Sequence, residues 1–139
     1  MERYVETGTL RIEWQDFAYL GQESVKAAQA ARAAQEQGRF WEYHDALYEN
    51  QGSINSGTFS SEKLVDLARR LGLDVETFES ELASGRYEAV VRRDLQEARE
   101  AGIQGTPSFI INEQRLTGPI PLEDIEQVID DELRKAEGA

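Results

Sequence analysis

The run Gly102-Ile103-Gln104-Gly105-Thr106-Pro107-Ser108-Phe109-Ile110-Ile111-Asn112 constrains this chain more than any other. Within a few residues it converts a helix into a strand. Gly102 follows a helical pattern and, lacking a Cβ, is free to take the positive φ that closes a helix. Gly105 and Pro107 bracket a turn, and Pro107 keeps Thr106 out of the helical region. Ser108 to Ile111 is a short apolar run rich in β-branched residues, the pattern of a buried strand. Asn112-Glu113 is a polar break, and Gln114 to Thr117 reads as the return strand of a hairpin. Gly118-Pro119-Ile120-Pro121 ends the hairpin. A last helix starts at Pro121 and is expected to bury Leu122, Ile125, Ile129 and Leu133.

Before this run the chain is mostly helical in pattern. Residues 1–8 read as the end of a helix, with Tyr4 and Val5 apolar and Gly8 as the stop. Thr9 to Phe17 alternates, with Leu10, Ile12 and Trp14 on one side, which predicts a half-buried strand. Ser24 to Gln37 is a helix whose stripe of Ala27, Ala28, Ala31 and Ala34 permits close approach of a neighbour. Phe40 to Asn50 places Phe40, Trp41, His44, Leu47 and Tyr48 on one face. Residues 51–60 form a Gly/Ser/Asn loop, the segment expected to be most mobile. Ser61 and Asp74 are candidate caps for two helices that bury Leu64, Leu67, Ala68 and Leu71, then Val75, Phe78 and Leu82. Tyr87 to Ala101 carries Tyr87, Val90, Val91 and Ala98 inward and pairs Glu88 with Arg92 across one turn. No repeat or linker divides the 139 residues, so a single domain is expected.

Composition narrows the functions open to such a domain. With 27 Asp and Glu against 15 Lys and Arg the net charge is −12. That excess argues against nucleic acid and anionic membranes as partners, since both ask for a basic surface. There is no signal peptide, no apolar run of membrane-spanning length and no lipidation motif, so the chain as given is expected to be cytoplasmic, or extracytoplasmic if an N-terminal segment is missing. No cysteine is present. Disulfides, thiolate metal sites and a cysteine nucleophile are therefore excluded. His44, the one histidine, sits among aromatics with no nucleophile paired to it and reads as a packed core residue rather than a base. Glu123, Asp124, Glu126, Asp130, Asp131 and Glu132 lack calcium-loop spacing and read as a solvated helix face. Neither a metal nor another cofactor is expected, and no catalytic residue is identified.

Helix, Gly-x-x-Gly-Thr-Pro, strand, turn, strand, glycine, helix is an order that resembles the second half of a thioredoxin-like domain. It is closest to the DsbA-like thiol:disulfide oxidoreductases. The run from Gly38 to Tyr48, Gly-Arg-Phe-Trp-Glu-Tyr-His-Asp-Ala-Leu-Tyr, resembles the helical insertion of the same family, and Leu10 to Gly21 resembles the strand leading into it. The resemblance implies an α/β fold, a thioredoxin-like sheet (residues 1–20 and 102–139) with an inserted helical subdomain (residues 21–101), incomplete at the N-terminus. It implies that Pro107 is cis and that Thr106 and Pro107 face a protein or peptide thiol substrate, with the Thr106 backbone able to pair with it.

The family's Cys-x-x-Cys would lie upstream of Met1. Thiol–disulfide exchange needs one thiolate to attack and a second thiol to resolve, so this chain is expected to be redox-inactive alone. A truncated oxidoreductase is one expectation. A glutathione-dependent isomerase or transferase of the same fold, with serine at the first redox position, is another. A non-catalytic interaction module is the third. The absent strand would leave open sheet edges, and these are expected to pair in a homodimer.

Overall fold

The computed structural model describes residues 2–138. Seven helices and one hairpin are found among them: α1 (Glu2–Glu6), α2 (Gln22–Glu36), α3 (Phe40–Glu49), α4 (Ser61–Arg70), α5 (Val75–Ser84), α6 (Glu88–Glu100), β1 (Ser108–Ile111), β2 (Gln114–Thr117) and α7 (Leu122–Glu137). The chain falls into two compact units, Met1–Gln15 with Arg99–Ala139, and Asp16–Ala98.

The second of these units is helical. Its core joins Ala30, Ala33 and Ala34 of α2 to Tyr43 of α3, Leu64 and Ala68 of α4, and Phe78 of α5. The alanines of α2 let neighbouring helices approach its backbone, and the aromatic rings fill the space they leave. Tyr43 is fully buried, donates its hydroxyl hydrogen to the Leu64 carbonyl at 2.8 Å, and lies 5.4 Å from the Phe78 ring. Burying a side chain the size of Phe78 or Leu64 contributes about 1.5–3 kcal/mol. Asp74 caps α5 by accepting from the Thr77 amide at 2.9 Å, and Gly85 closes it in the left-handed region. Ser60, not Ser61, stands at the cap of α4, and its side chain makes no capping bond.

The faces of α3 differ from the sequence expectation. Tyr43 and Ala46 are its buried residues, whereas Trp41 and Tyr48 are 46% and 57% exposed. The aromatic pattern misleads here because Trp and Tyr tolerate partial exposure, while the small Ala46 is what α3 can pack closely. His44 is half-buried among Phe40, Trp41 and Tyr48 rather than in the core.

The other unit carries the antiparallel pair β1–β2, with Phe109 opposite Leu116 and Ile111 opposite Gln114. Tyr4, Ile125 and Ile129 form its small core, against which Leu10, Phe109, Ile111, Leu116, Ile120 and Leu133 pack. Four expectations are corrected here. Thr9 to Phe17 is not a strand: alternation supplies two faces, but a strand also needs a ladder partner, and none of the described strands pairs with it. Its Ile12 and Trp14 are accordingly exposed. β1 is only half-buried, because α7 covers one face and Ile110 is 53% exposed on the other. Pro121 stands just before α7 as its cap, and Leu122 is exposed while Ile125 and Ile129 are buried. The acidic face of α7 is not merely solvated, since Asp130 accepts from the Tyr4 hydroxyl at 2.8 Å and Glu132 accepts from Asn112 at 3.1 Å.

Candidate functional site

Thr106 and Pro107 sit at the entrance to β1, in the unit that holds the hairpin. Gly102, at φ 82°, ends the chain's run from α6, its amide bonded to the Arg99 carbonyl at 2.9 Å. An Arg115 guanidinium N–H from β2 donates to the Ala101 carbonyl, which ties the end of α6 to the hairpin. The Thr106–Pro107 peptide bond is cis. The Pro107 carbonyl accepts from the Gly118 amide at 2.8 Å, and the Ser108 hydroxyl donates to the Gly105 carbonyl at 2.7 Å. The turn is thus fixed from both sides by backbone and short side-chain bonds, while Thr106 and Pro107 themselves are exposed.

Two strands make up the sheet, so β1 has β2 on one side and no described strand on the other. In an antiparallel ladder alternate residues turn their N–H and C=O away from the partner strand. A row of hydrogen-bonding groups therefore continues from the Thr106–Pro107 turn along the outer edge of β1. Such an edge can take up an extended polypeptide by strand addition.

What this arrangement does not contain is equally definite. The sequence has no cysteine, so neither thiolate attack nor resolution is available within it. Among the described residues no group of three or more His, Asp or Glu side chains is placed to hold a metal ion. His44 Nδ1 lies 2.9 Å from Asp45 Oδ1, inside the helical unit.

One polar cluster escaped sequence reasoning. Arg32 on α2 donates through Nε to Asp16 and through a terminal nitrogen to Asp94, both at 2.8 Å. The two aspartates are 3% and 5% exposed. Arg93 approaches the second oxygen of Asp94 at 3.2 Å. Asp16 and Asp94 lie close to the two ends of the helical unit's sequence, and Arg32 bridges them. Nothing local in the sequence pairs residues so far apart; the only available signal is that Arg32 interrupts the alanine-rich face of α2.

Comparison with known proteins gives the family and the fold. The family model described as Thioredoxin matches residues 1–131, and the chain belongs to that family. A probable disulfide bond formation protein D from Bacillus anthracis is 29% identical over 138 residues, which cover 96% of this chain and 63% of that protein. The chain thus spans less than two thirds of that relative's length. The Na(+)/H(+) antiporter NhaA 3 of Salinispora tropica is 38% identical over 97 residues, 70% of this chain but 14% of the antiporter. Among solved structures, a thioredoxin-like oxidoreductase from Silicibacter pomeroyi superposes with a TM-score of 0.72 at 29% identity, over 87% of this chain and 66% of that one. The thiol-disulfide exchange protein alpha-DsbA2 of Wolbachia pipientis gives a TM-score of 0.79 at 23% identity, over 94% and 69%. The fold is thioredoxin-like, a mixed α/β fold with many helices and a small antiparallel sheet.

Proposed function

We propose that this chain is the polypeptide-binding scaffold of a DsbA-like thiol:disulfide oxidoreductase, and that the redox dithiol is supplied from outside these 139 residues. In this reading residues 1–20 and 102–139 are the thioredoxin-like part and 21–101 the helical insertion. A protein or peptide thiol substrate lies in extended form against Thr106 and Pro107 and along β1. The carrying observation is that the exposed Thr106–Pro107 turn runs straight into the edge of β1 that no described strand pairs. Disulfide chemistry in relatives such as the Bacillus anthracis protein supports the substrate class. The likeness to antiporters involves a seventh of their length and brings no transport activity to this chain. No helix among the described residues is long and apolar enough to cross a membrane.

The chemistry sets the expected activity. Exchange passes through a mixed disulfide, and no residue of this chain can form one. The chain should leave the rate of exchange between a dithiol peptide and glutathione disulfide unchanged. Binding should nonetheless be measurable by calorimetry with an extended, thiol-bearing peptide. A version with proline at alternate positions lacks the N–H groups a ladder needs and should lose that binding. Equal binding of the two peptides would overturn the strand-addition reading.

A homodimer through the same edge is a second reading, favoured by the exposure of Ile12, Trp14 and Ile110 in the hairpin's unit. Sedimentation at rising concentration tests it. A well-folded monomer throughout would leave the edge to polypeptide partners.

A further inference from the structure

In the helical unit, the outer face of α3 leaves apolar surface uncovered. Trp41 and Tyr48 are exposed there, and the His44 ring stands between them, 5.5 Å from Trp41 and 4.8 Å from Tyr48. Beside Tyr48 opens a cleft of about 160 Å³, its apolar side formed by Leu20, Ala27, Leu47, Ile54 and Phe59 and the remainder by polar residues of α2 and the 51–60 loop, Glu23, Gln51 and Asn55 among them. Ile54, at its lip, is 63% exposed. Contiguous apolar surface of this kind, unlike a lone exposed leucine, marks a binding face.

The cleft is pre-formed. Glu23 accepts from the Gly57 amide at 2.6 Å and from the Phe59 amide at 3.3 Å, so one carboxylate of α2 holds the 51–60 loop that forms its wall. Gly21, at φ 111°, allows the Asn55 side chain to lie where a Cβ would otherwise stand, and Asn55 Oδ1 accepts from the Glu23 amide at 3.4 Å. A cleft this size is well below the roughly 300–1,000 Å³ of small-molecule and cofactor sites. One apolar side chain suits it better.

Charge selects what accompanies that side chain. Asp45 and Glu49 are exposed on the same side of α3. Of the nearby cations, Arg39 is paired with Glu42 at 2.8 Å and Lys26 reaches the Ser61 hydroxyl at 3.5 Å. A cation laid over Trp41 or Tyr48 would meet both an aromatic face and a carboxylate. A second copy of this chain, with its net charge of −12, would bring mainly like charge.

We infer that the outer face of α3 and the adjoining cleft bind an extended basic polypeptide segment. An apolar side chain enters the cleft, and a neighbouring lysine or arginine lies over Trp41 and Tyr48 beside Asp45. This site stands on the helical unit alone and does not depend on the reading of Thr106 and Pro107.

The test is an NMR titration of the ¹⁵N-labelled full chain with capped peptides carrying Phe-Lys-Lys, Phe-Glu-Glu or Gly-Lys-Lys. The expected result is that Phe-Lys-Lys shifts the Trp41 indole N–H and the amides of Tyr48 and Ile54, and that the other two bind more weakly. Asp45→Asn and Trp41→Leu should each weaken binding by roughly threefold to tenfold. Both residues are exposed, and an unchanged amide spectrum of each free variant confirms that the fold is intact. Equal response to the three peptides, or no response at these residues, would overturn the proposal. So would shifts of the same resonances with protein concentration alone, which would assign the face to a second copy. A response confined to Thr106 and β1 would sink this proposal while supporting the other.

Discussion

At the scale of single residues, Arg32 joins positions near both ends of the helical unit's sequence. It bridges two nearly buried aspartates, and removing it takes away the cation they share, leaving Arg93 at Asp94. Arg32→Met is expected to cost about 3–5 kcal/mol in urea unfolding. Replacing Asp16 and Asp94 by leucine in the same chain should return most of that loss, because the desolvation penalty goes with the charges. A cost below about 1 kcal/mol for Arg32→Met would mean that water reaches the cluster. The tyrosines make a second prediction. Burial raises the phenol of Tyr43, and burial followed by the Glu81 carboxylate raises that of Tyr87 to about 12. Unfolded tyrosine titrates near pH 10. The folded state therefore holds its phenolic protons more tightly, and this part of the stability is complete below about pH 10 and is lost as pH rises beyond it. Urea midpoints measured from neutral to alkaline pH should fall in that window. The fall should be smaller when Tyr43 and Tyr87 are both phenylalanine.

At the scale of elements, one carboxylate links the hairpin turn to α7 beside their apolar packing. Glu132 is held below the usual carboxylate range, first by the Lys135 ammonium and then by the Asn112 amide at the hairpin turn. Its stabilising contribution is present above the ordinary value of about 4.3 and is lost as pH falls through the lower folded value. Amide exchange at Asn112 and Glu113 should accelerate in that acid range, and Glu132→Gln should remove the dependence. Elements with strong local signals were legible in the sequence. The Asp74 cap, the glycine stops at Gly85 and Gly102, and the two-residue turn at Asn112-Glu113 all depend on near neighbours. The face of α3 was not, because aromatic spacing does not say which ring a neighbour covers; the alanines that determine this lie on α2. Nor was the fate of Thr9 to Phe17, since its alternation is real but its pairing depends on a partner.

For the whole molecule, the family was legible from the Gly-x-x-Gly-Thr-Pro run joined to the Gly38–Tyr48 run, and the comparisons show it. The absence of cysteine was equally plain and leaves the chain without a thiol of its own for exchange. What the sequence withheld was non-local: the Arg32 cluster, the anchoring of the 51–60 loop by Glu23, and the exposed outer face of α3. Each joins residues far apart in sequence, which periodicity cannot reach. The proposal is that a chain without redox thiols still takes up an extended polypeptide at the Thr106–Pro107 turn and the outer edge of β1. Amide-resolved NMR of the full chain with an extended thiol-bearing peptide tests it most directly. Shifts and exchange protection are expected at Thr106 and along Ser108 to Ile111, with no exchange of the peptide's thiol. Binding that leaves those amides untouched would contradict it.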